Sequence, residues 1–321
     1  MHLTLIPDEL QFAIHLMEGC ATITLNVQQK HINSQDKADH SPVTIADYAV
    51  QAYVAQAIMN AYPNDSMIGE EASSLLQQDE KLLNEVTQQV KALLPESNPD
   101  LVNSWIDHGQ GQPNGRFWVL DPVDGTKGFL RRMQYATALA LVKDGEVILG
   151  VLGCPNLPYA GHTGVMAYAY QGQGAWWQSY NQQTETQPMR VSEIKNLSEF
   201  RILRSFEDSH TDSARIDSFA RQAGVTVDPV RMDSQAKYFL LACGQAELSM
   251  RLLAPERADY REFIWDQAPG YRVVLEAGGT ITDTDGKPLD FSTGRRLNNN
   301  RGIFATNGQI HEEALKILQQ S

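Results

Sequence analysis

The chain has 321 residues, 42% of them hydrophobic, enough for a substantial core in one large or two medium domains. Acidic residues outnumber basic ones 39 to 26, a formal net charge of −13 that disfavours the phosphate backbone of polymeric nucleic acid as a partner. No apolar stretch is long enough to span a bilayer, Met1 to Ile6 is cut short by Pro7-Asp8-Glu9, and Cys20, Cys154 and Cys243 lack metal or disulfide spacing, so the expectation is a soluble, cytoplasmic protein with no membrane partner.

The first third reads as helical. Pro7-Asp8-Glu9 starts a helix that runs to about Lys30, Thr44 precedes another from Ile45 to about Tyr62, and Leu75 to Leu94 has the pattern of a charged amphipathic helix. Pro95 to Gly115 has the composition of a loop. Strands follow at Phe117 to Leu120, Tyr135 to Val142 and Val147 to Leu152, the last two joined by a hairpin at Asp144-Gly145. Met166 to Tyr170 and Ala175 to Trp177 pair across Gln171-Gly172-Gln173-Gly174. The polar stretch Gln178 to Pro188 suggests a boundary between an N-terminal α+β domain, 1–185, and a C-terminal α/β domain, 186–321. Beyond it, strands at Arg201 to Phe206, Val225 to Met232, Ala246 to Leu252, Thr280 to Thr282 and Ile303 to Ala305 alternate with helices. Those helices are expected near Ser213 to Ala223, Ser234 to Cys243, Trp265 to Ala277 and the C-terminus.

The densest chemistry is Asp121-Pro122-Val123-Asp124-Gly125-Thr126, directly after the apolar run Phe117 to Leu120. Pro122 pushes Asp121 towards an extended conformation, so the strand is expected to stop there and turn. In such a turn Asp121 and Asp124 face one point with the Val123 carbonyl between them, an all-oxygen set suited to a hard cation. Gly125 lets the backbone approach a ligand, and the N–H groups of Gly125 and Thr126 suit phosphate oxygens if a helix or nest begins there. An ordinary Asp-Gly turn without ligand is the alternative. Other acids have similarly divided readings. Asp47 follows Thr44 by three residues, as in a capping box; Glu70 and Glu71 end a short run beside Gly69, one facing a metal or both merely solvated. Asp266 precedes Pro269, which confines it to a helix start, as a ligand or a simple cap.

Taken together, FWVLDPVDGTKGFLR, SPVTIADY, IGEEAS, DSQAKY and Trp265 to Gly270 occur in an order that resembles the lithium-sensitive, magnesium-dependent phosphomonoesterase superfamily of inositol monophosphatases and fructose-bisphosphatases. DPVDGTKGFLR and Asp233 to Tyr238 are most similar to its 3'(2'),5'-bisphosphate nucleotidase branch. The resemblance implies a layered α/β/α/β/α sandwich, with two to three Mg²⁺ ions held by Glu70, Asp121, the Val123 carbonyl, Asp124 and Asp266. It implies that Asp47 and Thr126 activate a water that attacks the phosphate, and that Gly125 and Thr126 bind that phosphate. Ser205, His210, Ser234, Lys237 and Arg251 would then hold a bisphosphate nucleotide, 3'-phosphoadenosine 5'-phosphate or its sulfated form in sulfur metabolism. An inositol phosphate, fructose 1,6-bisphosphate, or a non-catalytic sensing role are the competing readings. Gln267, Pro269 and the charged segment Ala254 to Tyr260 depart from the branch pattern and bear on the base pocket.

Overall fold

The computed structural model describes residues 7–33, 42–181, 185–206, 211–257 and 259–320. Helices α1 (Asp8–Asn33), α2 (Pro42–Ala61), α3 (Glu80–Lys91) and α4 (Pro99–His108) precede and flank a seven-stranded sheet in the order β1 to β7. Its strands are β1 (Ser66–Gly69), β2 (Arg116–Asp124), β3 (Ala136–Lys143), β4 (Glu146–Tyr159), β5 (His162–Tyr170), β6 (Ala175–Ser179) and β7 (Gln187–Met189), with the short helix α5 (Thr126–Leu130) after β2. Only the β1–β2 pairing is parallel; the rest are antiparallel. β7 joins this sheet from just beyond the proposed division at residues 185 and 186.

The second sheet has the order β11-β12-β10-β8-β9, built from β8 (Ile202–Arg204), β9 (Val230–Arg231), β10 (Leu248–Arg251), β11 (Thr280–Thr282) and β12 (Ile303–Thr306). Helices α6 (Ser213–Gln222), α7 (Ala236–Ala242), α8 (Ala268–Glu276) and α9 (His311–Gln320) accompany it.

Alternation along the strands assigns the layers, because successive side chains leave opposite faces of a sheet. Trp118, Leu120, Leu139 and Leu141 pack against α1 to α4, while Phe117, Val119, Ala138 and Ala140 share a core with α7, α8 and the inner face of the second sheet. Ile202, Leu248 and Phe304 on the other face of that sheet pack against α6 and α9. The molecule is therefore helix, sheet, helix, sheet, helix in section, the expected layered sandwich. Gly270 sets the spacing within the middle layer: a Cβ there would stand 2.0 Å from the Tyr238 ring, so only glycine lets α8 lie this close to α7.

Three local expectations are corrected. The helix expected from Leu75 to Leu94 is broken, because Asp79 leaves the helical conformation to accept the Leu82 N–H and cap α3. The loop expected from Pro95 to Gly115 contains α4, capped by Asn98 on the Leu101 N–H with Pro99 in its first turn, and Val102, Trp105 and Ile106 form its buried side. Thr44 lies within α2 rather than ahead of it, so Asp47 does not belong to a capping box. Among the described residues no helix is long and apolar enough to cross a membrane.

His311 fastens the outermost layer. Its Nε2 meets Thr282 Oγ1 at 3.0 Å and its Nδ1 meets Thr306 Oγ1 at 2.9 Å, and burial pushes its pKa from 6.5 down to about 4. The folded protein holds this imidazole neutral while the unfolded chain protonates it below its ordinary value, so stability falls as pH drops from 6.5 towards 4. A comparison of urea midpoints at pH 7 and pH 5 should show a smaller loss in His311→Asn than in the parent; an equal loss would assign the acid sensitivity elsewhere.

Candidate active site

A cavity of about 570 Å³ opens between the two sheets. Its lining includes Glu70, Asp121, Val123, Asp124, Gly125, Thr126, Ser205, Ser234, Lys237, Arg251 and Asp266. Residues that the local motifs and the resemblance point to thus meet in one place. Asp47 lies outside this lining, buried in the second turn of α2, and His210 lies outside the described residues.

The two aspartates of β2 share the cavity for a reason the sequence reading did not give. The strand does not stop at Asp121 but continues to Asp124, and Pro122 sits in a bulge: Asp121 faces Ala138 while Asp124 faces Ala136. Positions three apart in a regular strand point to opposite faces; one extra residue cancels the alternation and returns Asp124 to the side of Asp121. Thr137 fixes the bulge by donating its hydroxyl to the Pro122 carbonyl at 2.8 Å. Gly125 follows at φ 93°, a left-handed conformation in which a Cβ would come within 2.8 Å of Ser234 Cβ, and α5 begins at Thr126 without a side-chain cap.

Electrostatics define the floor of the cavity. Asp121 is 3% exposed, and its Oδ1 is buried with no hydrogen-bond partner. Burial raises the Asp121 pKa well above the carboxylate range, and the charges of Glu70, Asp124, Asp266 and Asp47 raise it further. Asp266 is pushed the same way by burial and then by Asp124 and Glu262, and Asp47 by burial and then by Glu71 and Glu70. Glu70 meets solvent at the cavity mouth, yet the protein packed around it, with Glu71 and Asp124, lifts its pKa to about 7 against a hydrogen bond from Asp121. The Glu71 carboxylate pairs with the Tyr48 hydroxyl, while Glu70 lines the cavity.

This donor set fits a hard dication: all donors are oxygen, and the stranded Asp121 Oδ1 is the kind of atom a cation satisfies. Among the described residues no group of three or more His, Cys, Asp or Glu side chains is close enough to hold an ion as placed.

The same cavity holds the cations Lys237 and Arg251. Lys237 donates to Ser205 Oγ at 3.2 Å, and its pKa is lowered by burial and by Arg251. Arg251 donates through Nε to Glu262 Oε1 at 2.8 Å. Ser234, with φ 62°, accepts the Ala236 N–H at 3.1 Å in the turn that leads into α7. No direct hydrogen bond joins Thr126 to Asp47, although α2 packs on α5.

Several residues that the sequence reading left without a role position the others. Gln235 donates its backbone N–H to Asp124 Oδ2 at 2.5 Å, its side-chain amide to the Trp265 carbonyl at 2.9 Å, and accepts the Gly270 N–H at 3.1 Å. It therefore links the β2 acids to the segment carrying Asp266. Arg295 donates to the Gly69 carbonyl at 2.6 Å and stacks over Trp265, holding the residues just before Glu70 and Asp266. Gln267 accepts the Tyr238 hydroxyl at 2.5 Å, which accounts for an amide at this buried position.

Comparison with known proteins agrees with this picture. A profile described as "Inositol monophosphatase family" matches residues 8–321. A Schizosaccharomyces pombe protein named 3'(2'),5'-bisphosphate nucleotidase is 35% identical, covering 96% of this chain and 94% of its own. One of the same name from Oryza sativa is 40% identical, covering 94% and 90%, and an Arabidopsis thaliana 3',5'-bisphosphate nucleotidase 2 is 37% identical, covering 98% and 96%. Among solved structures, an IMPase from Thermotoga maritima superposes with TM-score 0.64 at 21% identity, covering 98% of both chains. An inositol monophosphatase from Zymomonas mobilis gives 0.67 at 19% identity, covering 97% and 98%. These two likenesses establish the fold.

Proposed function

The chain belongs to the inositol monophosphatase family, and from that membership and its cavity we propose a 3'(2'),5'-bisphosphate nucleotidase that converts 3'-phosphoadenosine 5'-phosphate to AMP and phosphate. The observation that carries the substrate choice is the placement of Lys237 and Arg251 in the same cavity as Asp121, Asp124 and Asp266. A monophosphate needs charge neutralised only at the reacting phosphoryl group. A cavity whose acids can gather cations and which also holds the basic side chains of Lys237 and Arg251 suits a substrate carrying a second anion. The 5'-phosphosulfate form presents the same reacting group, and we include it, with a role in sulfur metabolism.

Enzymes of this superfamily are metal-dependent, typically on Mg²⁺, and we propose two to three ions held by Glu70, Asp121, the Val123 carbonyl, Asp124 and Asp266. Bound there, Mg²⁺ supplies charge neutralisation of the phosphoryl oxygens and lowers the pKa of the attacking water. The remaining steps belong to side chains. Thr126 Oγ1 orients the water, and Asp47, a buried carboxylate with a raised pKa, receives its proton. The Gly125 and Thr126 N–H groups hold the phosphoryl oxygens as the water forms the new P–O bond and the bond to the 3'-oxygen breaks, with that oxygen taking up a proton as it leaves. Ser205, Ser234, Lys237 and Arg251 bind the nucleotide, and His210 is retained as a further contact. We place the enzyme in the cytoplasm, a setting consistent with the free thiols of Cys20, Cys154 and Cys243.

The test is phosphate release with Mg²⁺ from 3'-phosphoadenosine 5'-phosphate, inositol 1-phosphate and fructose 1,6-bisphosphate, with and without Li⁺. Preferred, lithium-sensitive turnover of the nucleotide is expected. Preference for a sugar phosphate would overturn the substrate assignment, and no release from any of the three would overturn the catalytic one.

A further inference from the structure

One carboxylate in the cavity has no part in the chemistry above. Glu262 lines the cavity with its side chain only 2% exposed, and while Oε1 accepts from Arg251, Oε2 is buried with no hydrogen-bond partner among the described residues. A buried carboxylate oxygen without a donor is costly, and when it lines a binding cavity a ligand can supply that donor. We propose that Glu262 reads the sugar of the substrate, its Oε2 accepting a hydrogen bond from the free 2'-hydroxyl of the ribose. This rests on the bisphosphate nucleotidase reading and adds to it a recognition element for the ribose.

The chemistry restricts the donor. A carboxylate accepts hydrogen bonds and repels phosphate, so the group facing Oε2 is neutral and carries a hydrogen. The position restricts it further. Glu262 pairs with Arg251 at 2.8 Å and lies on the same short segment as Asp266, and all three line the cavity, so Glu262 neighbours both a proposed phosphate-binding cation and a proposed ion ligand. In a nucleoside 3',5'-bisphosphate the ribose joins the two phosphates, and its one remaining hydroxyl is at the 2'-position. Glu262 engages Arg251 through Nε alone, which leaves the terminal guanidinium nitrogens out of that pair and suited to the second phosphate. One side chain can then set the register of sugar and phosphate together.

The experiment compares kcat/KM for 3'-phosphoadenosine 5'-phosphate and its 2'-deoxy analogue in the parent, Glu262→Ala and Glu262→Gln, with adenosine 3'-phosphate as a substrate lacking the second phosphate. The parent is expected to favour the ribonucleotide by about 10- to 100-fold, the cost of leaving a charged acceptor unpaired. That ratio should collapse towards unity in Glu262→Ala and shrink in Glu262→Gln, which keeps the shape of the site should the alanine variant fail to fold. Equal use of the two sugars by the parent overturns the proposal without any variant, and leaves the nucleotidase reading standing. A Glu262 variant that loses only its preference for the bisphosphate over adenosine 3'-phosphate, with the sugar ratio intact, also overturns it, since Glu262 would then serve only to hold Arg251. Failure of the parent to hydrolyse either bisphosphate overturns both readings.

Discussion

Asp121→Asn is expected to release phosphate at least about 10³-fold more slowly than the parent, because one ligand of the proposed ion cluster loses its charge where that cluster supplies most of the catalysis. The same variant should melt at a higher temperature than the parent in the presence of a chelator. The two effects have one cause. Asp121 is buried, its Oδ1 is unpartnered, and four other carboxylates act on it. Its folded-state pKa lies above the unfolded one, so the ionised group destabilises the fold at neutral pH, and the penalty shrinks as pH falls towards the folded value. Asparagine keeps the shape and removes the charge. Mg²⁺ should correspondingly raise the parent's melting temperature and raise that of Asp121→Asn much less, since binding to the native state alone stabilises it by mass action. Thermal scans of both proteins with EDTA and with Mg²⁺ decide the matter. A variant less stable than the parent in EDTA would mean that the carboxylate holds the bulge rather than an ion.

What the sequence made legible, and what it hid, divides by the range of the interactions. Asp121, Asp124, Gly125 and Thr126 were recognisable because their residue types are unusual after a buried strand. That they share one face depends on a register shift against β3, and Asp124 and its partner Ala136 are brought together by pairing that no local pattern encodes. The helix α4 was legible in principle: Asn98 as cap, Pro99 at the first turn and apolar residues at 102, 105 and 106 are all local signals, but the Pro, Asn and Gly content around them suggested a loop. Gln235 and Glu262 are a different case. Gln235 matters because of Asp124, 111 positions earlier, and Glu262 because its second oxygen finds no donor, a property that exists only after folding. Composition marks the residues that carry chemistry; the residues that hold them in place are ordinary in type and become visible only through their partners.

Lys237→Ala should lower kcat/KM for the bisphosphate by about 30- to 1000-fold, the range for truncating one member of a buried charged contact, and should change turnover of a monophosphate little. The position of the Lys237 ammonium sets this expectation. It stands in the first turn of α7 with the Ser205 hydroxyl as its one hydrogen-bond partner among the described residues, and burial and the neighbouring Arg251 disfavour its charge, offset in part by Asp124, Asp233 and Glu262. Such a cation gains more from an incoming anion than one already paired, because the anion relieves its repulsion with Arg251 as well as its desolvation. The lowered pKa gives a second readout. As pH rises towards it, the free enzyme loses the proton that the bound bisphosphate requires, so KM for the bisphosphate should climb on the alkaline side in the parent and stay flatter in Lys237→Ala. Removing one of two adjacent cations relieves repulsion, so the variant is expected to fold. Steady-state kinetics across pH on 3'-phosphoadenosine 5'-phosphate and on adenosine 3'-phosphate make the distinction. An equal loss on both substrates would show that Lys237 shapes the reacting centre itself, and the second phosphate would then have to be read by Arg251 without it.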